Sequence, residues 1–365
     1  MVLVGIVLVA CAILAYANRD LIAEGWLTLT NAEPGWVVAS VLAIAVAFFS
    51  MAEVMRLLFR SAGVGRATVG ATNALTLASN AWSVSMPGGV AFATALQVRR
   101  QLQWGASAVV VSWFVVFSGA LSFLGLAALA VVSLFFIGRQ PAPTMLIATA
   151  AAVLALTLLL WWFSRNTTLI EKLATWILGL VNRVRRRPAD QGAESLAARI
   201  GQLTEVRLTL PCLALVFTFS LLNWLADVLC LYAAIRAIGV DRISLTGTLL
   251  AFVTGKVAGF IQATPGGVGP VEAVLTGTLV AGGMVGSDAF AAVLLYRIVS
   301  LILPAFVGWA VFLLGFDGVD PRRPDPGTPE GAAAAPLPRP TDDQPAHRPA
   351  DPLSHPTRSD QETTP

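Results

Sequence analysis

Apolar residues in this chain come in long unbroken runs rather than in amphipathic stripes, which points to helices solvated by lipid. A spanning helix needs roughly 20 mainly apolar residues. Six stretches qualify or nearly do: about 2 to 17, 35 to 58, 106 to 137, 143 to 163, 209 to 236 and 288 to 315. Two regions between them, about 67 to 97 and 244 to 284, are also apolar but interrupted. Each carries the same break, Pro87-Gly88-Gly89-Val90 in the first and Pro265-Gly266-Gly267-Val268 in the second. A helix break at membrane depth leaves backbone groups that lipid cannot satisfy, so it survives only when buried in protein or lining a wet cavity. Stretch 2 to 17 has a second reading as a signal peptide, because Ala15-Tyr16-Ala17 resembles a cleavage site. No Lys or Arg precedes its apolar core, which favours a retained helix.

The basic residues orient these elements, since short cytoplasmic loops are enriched in Lys and Arg. Arg56, Arg60 and Arg66 mark one cytoplasmic loop, Arg99 and Arg100 a second, and Arg183 to Arg187 a third. Residues 18 to 33, with Arg19 against Asp20, Glu24 and Glu33, read as external. Residues 67 to 97 then begin and end on the cytoplasmic side, which predicts a re-entrant hairpin. By the same count the 244 to 284 hairpin enters from outside. The expected fold is therefore an all-α polytopic membrane protein with about six spanning helices and two oppositely oriented re-entrant Pro-Gly-Gly hairpins. That pattern is the signature of an inverted repeat with its site at the repeat interface near the midplane. The competing account is that Pro and Gly are simply common in membrane helices. Both termini are expected in the cytoplasm of a bacterial cell.

Composition fits this picture, with 56% hydrophobic and 12% charged residues in 365. The expected membrane domain is 1 to 315, with 19 Lys or Arg against 12 Asp or Glu. Residues 316 to 365, rich in Pro, Ala and Asp, carry 5 Arg against 9 acidic residues and read as a disordered tail. Within the loop from 164 to 208, Leu169, Leu173, Trp176, Ile177 and Leu180 recur at helical spacing before the Arg cluster. This suits an interfacial helix with a headgroup-facing basic patch, or a plain cytoplasmic anchor. Cys11, Cys212 and Cys230 lack any metal or redox spacing, and the two histidines, His347 and His355, fall in the tail. No cofactor or metal is expected, and no enzyme activity.

Charges inside a bilayer are costly and normally face a cavity or a partner. Glu53, Asp227, Lys256, Glu272 and Arg297 are the candidates. Lys256 and Glu272 lie on the two arms of the second hairpin, so they either pair across it or meet an anionic headgroup. Arg297 suits bidentate phosphate binding, or pairs with Glu272 or Asp227. Glu53 and Arg56 read as a surface i,i+3 pair near the headgroups. The first hairpin holds Asn73, Thr76, Ser79, Asn80, Ser83 and Ser85. Thr76, Asn80 and Ser83 share one face, which serves either a cavity lining or a polar helix contact. Gly88, Gly89, Gly266, Gly267 and Gly269 permit close backbone approach, and amides exposed there could hold an anion.

The phrase Ala263-Thr264-Pro265-Gly266-Gly267-Val268-Gly269-Pro270-Val271-Glu272-Ala273, with Lys256 before it and Tyr296-Arg297 after it, resembles the lysylphosphatidylglycerol synthase transmembrane family, a flippase-like membrane domain. Asn80 with Met86-Pro87-Gly88-Gly89-Val90 is similar to that family's first hairpin, though Val90-Ala91 stands where the family more often has Gly-Glu. Trp224 to Gly239 resembles a helix ending in Ala-x-Gly. The resemblance covers about residues 1 to 315 and implies a polytopic protein that moves or accommodates anionic or lipid-linked substrates. Longer members add a soluble aminoacyl-transferase domain. Here a Pro-rich tail follows, so the synthase reaction is not carried over. The expected function is translocation of an anionic phospholipid or polyprenyl-phosphate-linked headgroup. The expected site is Lys256, Glu272, Arg297, Asp227, Asn80, Pro87, Gly88, Gly89, Pro265, Gly266, Gly267 and Gly269. No phosphate-cradling Gly-x-x-x-x-Gly-Lys-Ser/Thr loop is present, so movement is passive or gradient-driven, with Glu272 or Asp227 the candidates for proton coupling. The alternatives are a noncatalytic partner of an envelope-synthesising enzyme and a membrane-embedded transferase using Glu272 with Asp227.

Overall fold

The computed structural model describes residues 28 to 85, 88 to 135, 143 to 166, 208 to 259 and 264 to 315. Pro87, the stretch from 2 to 17, the amphipathic and basic part of the 164 to 208 loop, and the 316 to 365 tail lie outside these residues. The described chain is helical: α1 Pro34–Ser61, α2 Val69–Ser85, α3 Gly89–Gln103, α4 Ala108–Phe135, α5 Pro143–Arg165, α6 Leu210–Ala237, α7 Leu245–Gly259, α8 Pro270–Ala281, α9 Gly286–Arg297 and α10 Leu303–Gly315. A π turn at Ile298–Ile302 joins α9 to α10.

Helix ends follow local chemistry. α1 starts on Pro34, whose missing N–H costs nothing in a first turn, and the chain leaves it through Gly63 at φ 80°. α6 starts with Pro211 in its first turn and with the Thr209 hydroxyl accepting from the Cys212 amide, and it is followed by Gly239 at φ 81°. Among the described residues four helices are long and apolar enough to cross a bilayer: Pro34–Ser61, Ala108–Ser133, Leu210–Ala237 and Gly286–Leu314. The expected span at 143 to 163 falls on α5, whose qualifying apolar portion is the shorter Ile147–Leu159. Large apolar side chains stand exposed along these helices, among them Ile147, Leu154, Phe306 and Leu314, as a lipid-facing surface requires.

The most extensive helix contact joins α1 and α6, which run antiparallel. Trp36 meets Tyr232, the Ser40 hydroxyl donates to the Cys230 carbonyl at 3.1 Å, and Phe49 meets Phe219. Each helix leads into a pair of short helices, α2 and α3 after α1, α7 and α8 after α6. Because α1 and α6 are antiparallel, the two pairs start from opposite ends of the core. α1 and α2 begin at 34 and 69, and α6 and α7 at 210 and 245, the same spacing. Each pair turns through a glycine in the left-handed region, Gly88 at φ 71° and Gly266 at φ 61°. The packing is reciprocal: α2 lies on α10, and α7 lies on α4. The second turn meets the end of α2 near the π turn, since a Cβ on Gly266 would stand 3.6 Å from Val84 Cβ and 3.0 Å from Leu301.

Glu53 and Arg56 pair as expected, with Arg56 Nε 2.8 Å from Glu53 Oε2. Their place differs from the surface position the sequence suggests. Glu53 is buried at 3% exposure, because α2 folds back over this end of α1.

Candidate functional site

Four of the five intramembrane charges gather around the second break, in two separate ion pairs. Lys256, near the end of α7, places its Nζ 2.7 Å from Asp227 Oδ2 on α6. The other Asp227 oxygen accepts from the Tyr296 hydroxyl at 2.9 Å. Arg297, the last residue of α9, sets its Nε 2.5 Å from Glu272 Oε1, and its Nη2 donates to the Gly266 carbonyl.

The expected pairing of Lys256 with Glu272 across the hairpin is not what forms. Glu272 sits in the first turn of α8, where its second oxygen accepts from the Gly269 amide at 2.6 Å and satisfies an N–H that the helix leaves over. Held there, it faces Arg297. Lys256 turns instead toward α6, with its ammonium over the rings of Phe252 at 4.9 Å and Trp224 at 5.6 Å. The Trp224 indole is fixed by donating to the Ser122 carbonyl of α4 at 3.0 Å.

Lys256 and Arg297 border one cavity of about 290 Å³, together with Trp224, Phe252, Gly266 and Tyr296. The rest of its wall is mainly apolar. The lysine side chain is 33% exposed against 11% for the arginine, so the lysine is the more accessible of the two side chains.

The remaining expected residues divide. Pro265 and Gly267 form the 3₁₀ turn beside the cavity with Gly266. The amide of Gly267 donates to the Thr264 carbonyl and that of Gly269 to Glu272, so neither is open to hold an anion as the sequence suggested. Asn80, Gly88 and Gly89 do not border this cavity. A Cβ on Gly89 would collide with the carbonyl oxygens of Trp82 and Ser83, so this glycine serves the close return of the first hairpin. Thr76 and Ser79 are buried at 2% each, and α2 packs against α1, α3 and α10. Asn73, Asn80 and Ser83 are half-buried and Ser85 is exposed, and none of the polar run on α2 belongs to the wall near Lys256.

Sequence reading passed over the aromatic platform and the tyrosine that holds Asp227. Phe252 lies one helical turn before Lys256 and Trp224 three residues before Asp227, spacings that place each ring on the face of its charge.

A UPF0104 membrane protein of Methanothermobacter thermautotrophicus is 34% identical to this chain over 103 residues, which is 28% of this chain and 28% of that protein. The chain thus matches well under a third of that relative's length. The family described as the lysylphosphatidylglycerol synthase TM region matches residues 2–308, so this multi-pass membrane protein belongs to that family.

Proposed function

We propose that this protein is a lipid translocase that admits an anionic headgroup, from a phospholipid or a lipid-linked phosphate, into the cavity beside the second hairpin while the tails stay in the bilayer. One observation carries the reading: Lys256 and Arg297, on different helices, border the same cavity beside the broken turn at Gly266. Charge at that depth is retained where it meets a substrate or a partner. The antiparallel core pair, the matched element spacing and the contact of the second turn with the end of α2 support an inverted repeat with oppositely re-entrant hairpins, the arrangement that alternating access uses.

The test is movement of acyl-labelled phosphatidylglycerol and of a polyprenyl-phosphate analogue in proteoliposomes. Wild type is expected to move at least one of them, and Lys256→Ala to slow that movement by about tenfold or more, the worth of one charge-assisted contact. Folded wild type that moves neither lipid overturns the translocase reading and favours a noncatalytic partner of an envelope or lipid-modifying enzyme. In that case the ion pairs serve packing alone.

A further inference from the structure

The two ion pairs differ in what holds them, and the difference bears on which lipid enters. Arg297–Glu272 is a closed clasp. Both oxygens of Glu272 and two nitrogens of Arg297 are engaged, and the partners include the backbone of the turn itself. Opening it would release the tip of the second hairpin. Lys256–Asp227 is a simple contact between a lysine that borders the cavity, its side chain one-third exposed, and a carboxylate that Tyr296 grips by its other oxygen. The ammonium has three donors on a flexible stem and can turn from one acceptor to another, which a guanidinium held at two nitrogens cannot.

We propose that Asp227 is the specificity-determining residue of the site: it is an internal stand-in for the ligand's phosphate, so the headgroup binds by exchange at Lys256 and the site selects a phosphodiester with a single negative charge. This rests on the translocase reading above. The charge count is the reason for the selection. Lys256 offers one positive charge, already matched by one carboxylate, while Arg297 and Glu272 cancel within the clasp. A phosphodiester takes the ammonium from Asp227, which Tyr296 retains, so the occupied site carries one net negative charge. A phosphomonoester or diphosphate raises that to two or more, and among the described residues of the cavity wall there is no cation beyond Lys256 and the paired Arg297. In a low-dielectric site that uncompensated charge is the dominant cost.

The experiment compares acyl-labelled phosphatidylglycerol with acyl-labelled phosphatidic acid, lipids with the same tails and different phosphate charge, at a pH where phosphatidic acid carries more than one. Wild type is expected to move phosphatidylglycerol about tenfold faster or more. Asp227→Asn, which leaves the ammonium unmatched, is expected to narrow that ratio and to lower the half-saturating lipid concentration with slower maximal movement, because the headgroup is then held. Glu272→Gln should depress both lipids alike and leave the ratio unchanged. Phosphatidic acid moved as fast as phosphatidylglycerol by wild type overturns the proposal even if no variant folds. So does an Asp227→Asn protein with unaltered ratio and saturation. Neither result touches the translocase reading, which fails only if wild type moves no lipid.

Discussion

Arg297→Ala is expected to destabilise the protein by about 1–3 kcal/mol, the usual effect of leaving partly buried polar groups without their hydrogen-bond partner. Glu272 would lose its counter-ion and keep only the Gly269 amide, and the Gly266 carbonyl would lose its donor in a place where water is scarce. The measurement is the half-life and thermal unfolding temperature of the folded protein in mild detergent. The double variant Glu272→Gln/Arg297→Gln should be less damaging than the two single losses added together, because no lone charge remains. Single variants that match wild type in both measurements would show that the clasp is not what holds the second hairpin.

The second large effect is expected at Gly308. A Cβ there would press on the Leu77 carbonyl group, with the carbonyl carbon at 2.8 Å and the Ala81 methyl at 3.0 Å. Backbone atoms cannot turn aside as a side-chain tip can, so Gly308→Ala must push α10 away from α2. The loss is expected at about 1–3 kcal/mol, as overpacking of a tight contact commonly costs. It would also loosen the bond from Trp309 Nε1 to Ser85 Oγ and the Trp82–Trp309 ring contact at 5.2 Å. Gly277→Ala is the control, since a Cβ there meets nothing within 4 Å. Equal thermal stability of the two variants would mean that the close approach of α2 and α10 is dispensable.

Hydropathy predicts α1, α4, α6 and the α9–α10 helix to within a few residues, because bilayer thickness dictates both their length and their composition. The breaks at Gly88 and Gly266 were legible for a different reason. Proline and adjacent glycines interrupt a helix whatever surrounds them. Partner choice was legible only in part: Glu272 was one of the partners offered for Arg297, whereas the Lys256–Asp227 pair was not foreseen. Lys256 and Glu272 flank one hairpin in sequence, yet each pairs with a residue from another helix, and hydropathy gives depth without rotation about the axis. The burial of Glu53 was missed on similar grounds, since its depth in the bundle depends on α2 folding back over α1. Gly308 carried a readable signal, because a glycine inside a membrane helix commonly marks close approach, but the partner on α2 was beyond reach.

The π turn between α9 and α10 settles how one helix serves two neighbours. In an uninterrupted α-helix, Arg297 and Gly308 are separated by about three full turns and would point the same way. The extra residue accommodated at Ile298–Ile302 rotates one against the other by about 100°. Arg297 is thereby aimed at the tip of the second hairpin while Gly308 and Trp309 are aimed at the first. A single-residue deletion inside the π turn would leave about ten residues of regular helix between the two, which turns through the same angle, so both grips should survive. A single-residue deletion in α10 between the π turn and Gly308 would instead shift the aim by about 100° and free one of the two breaks.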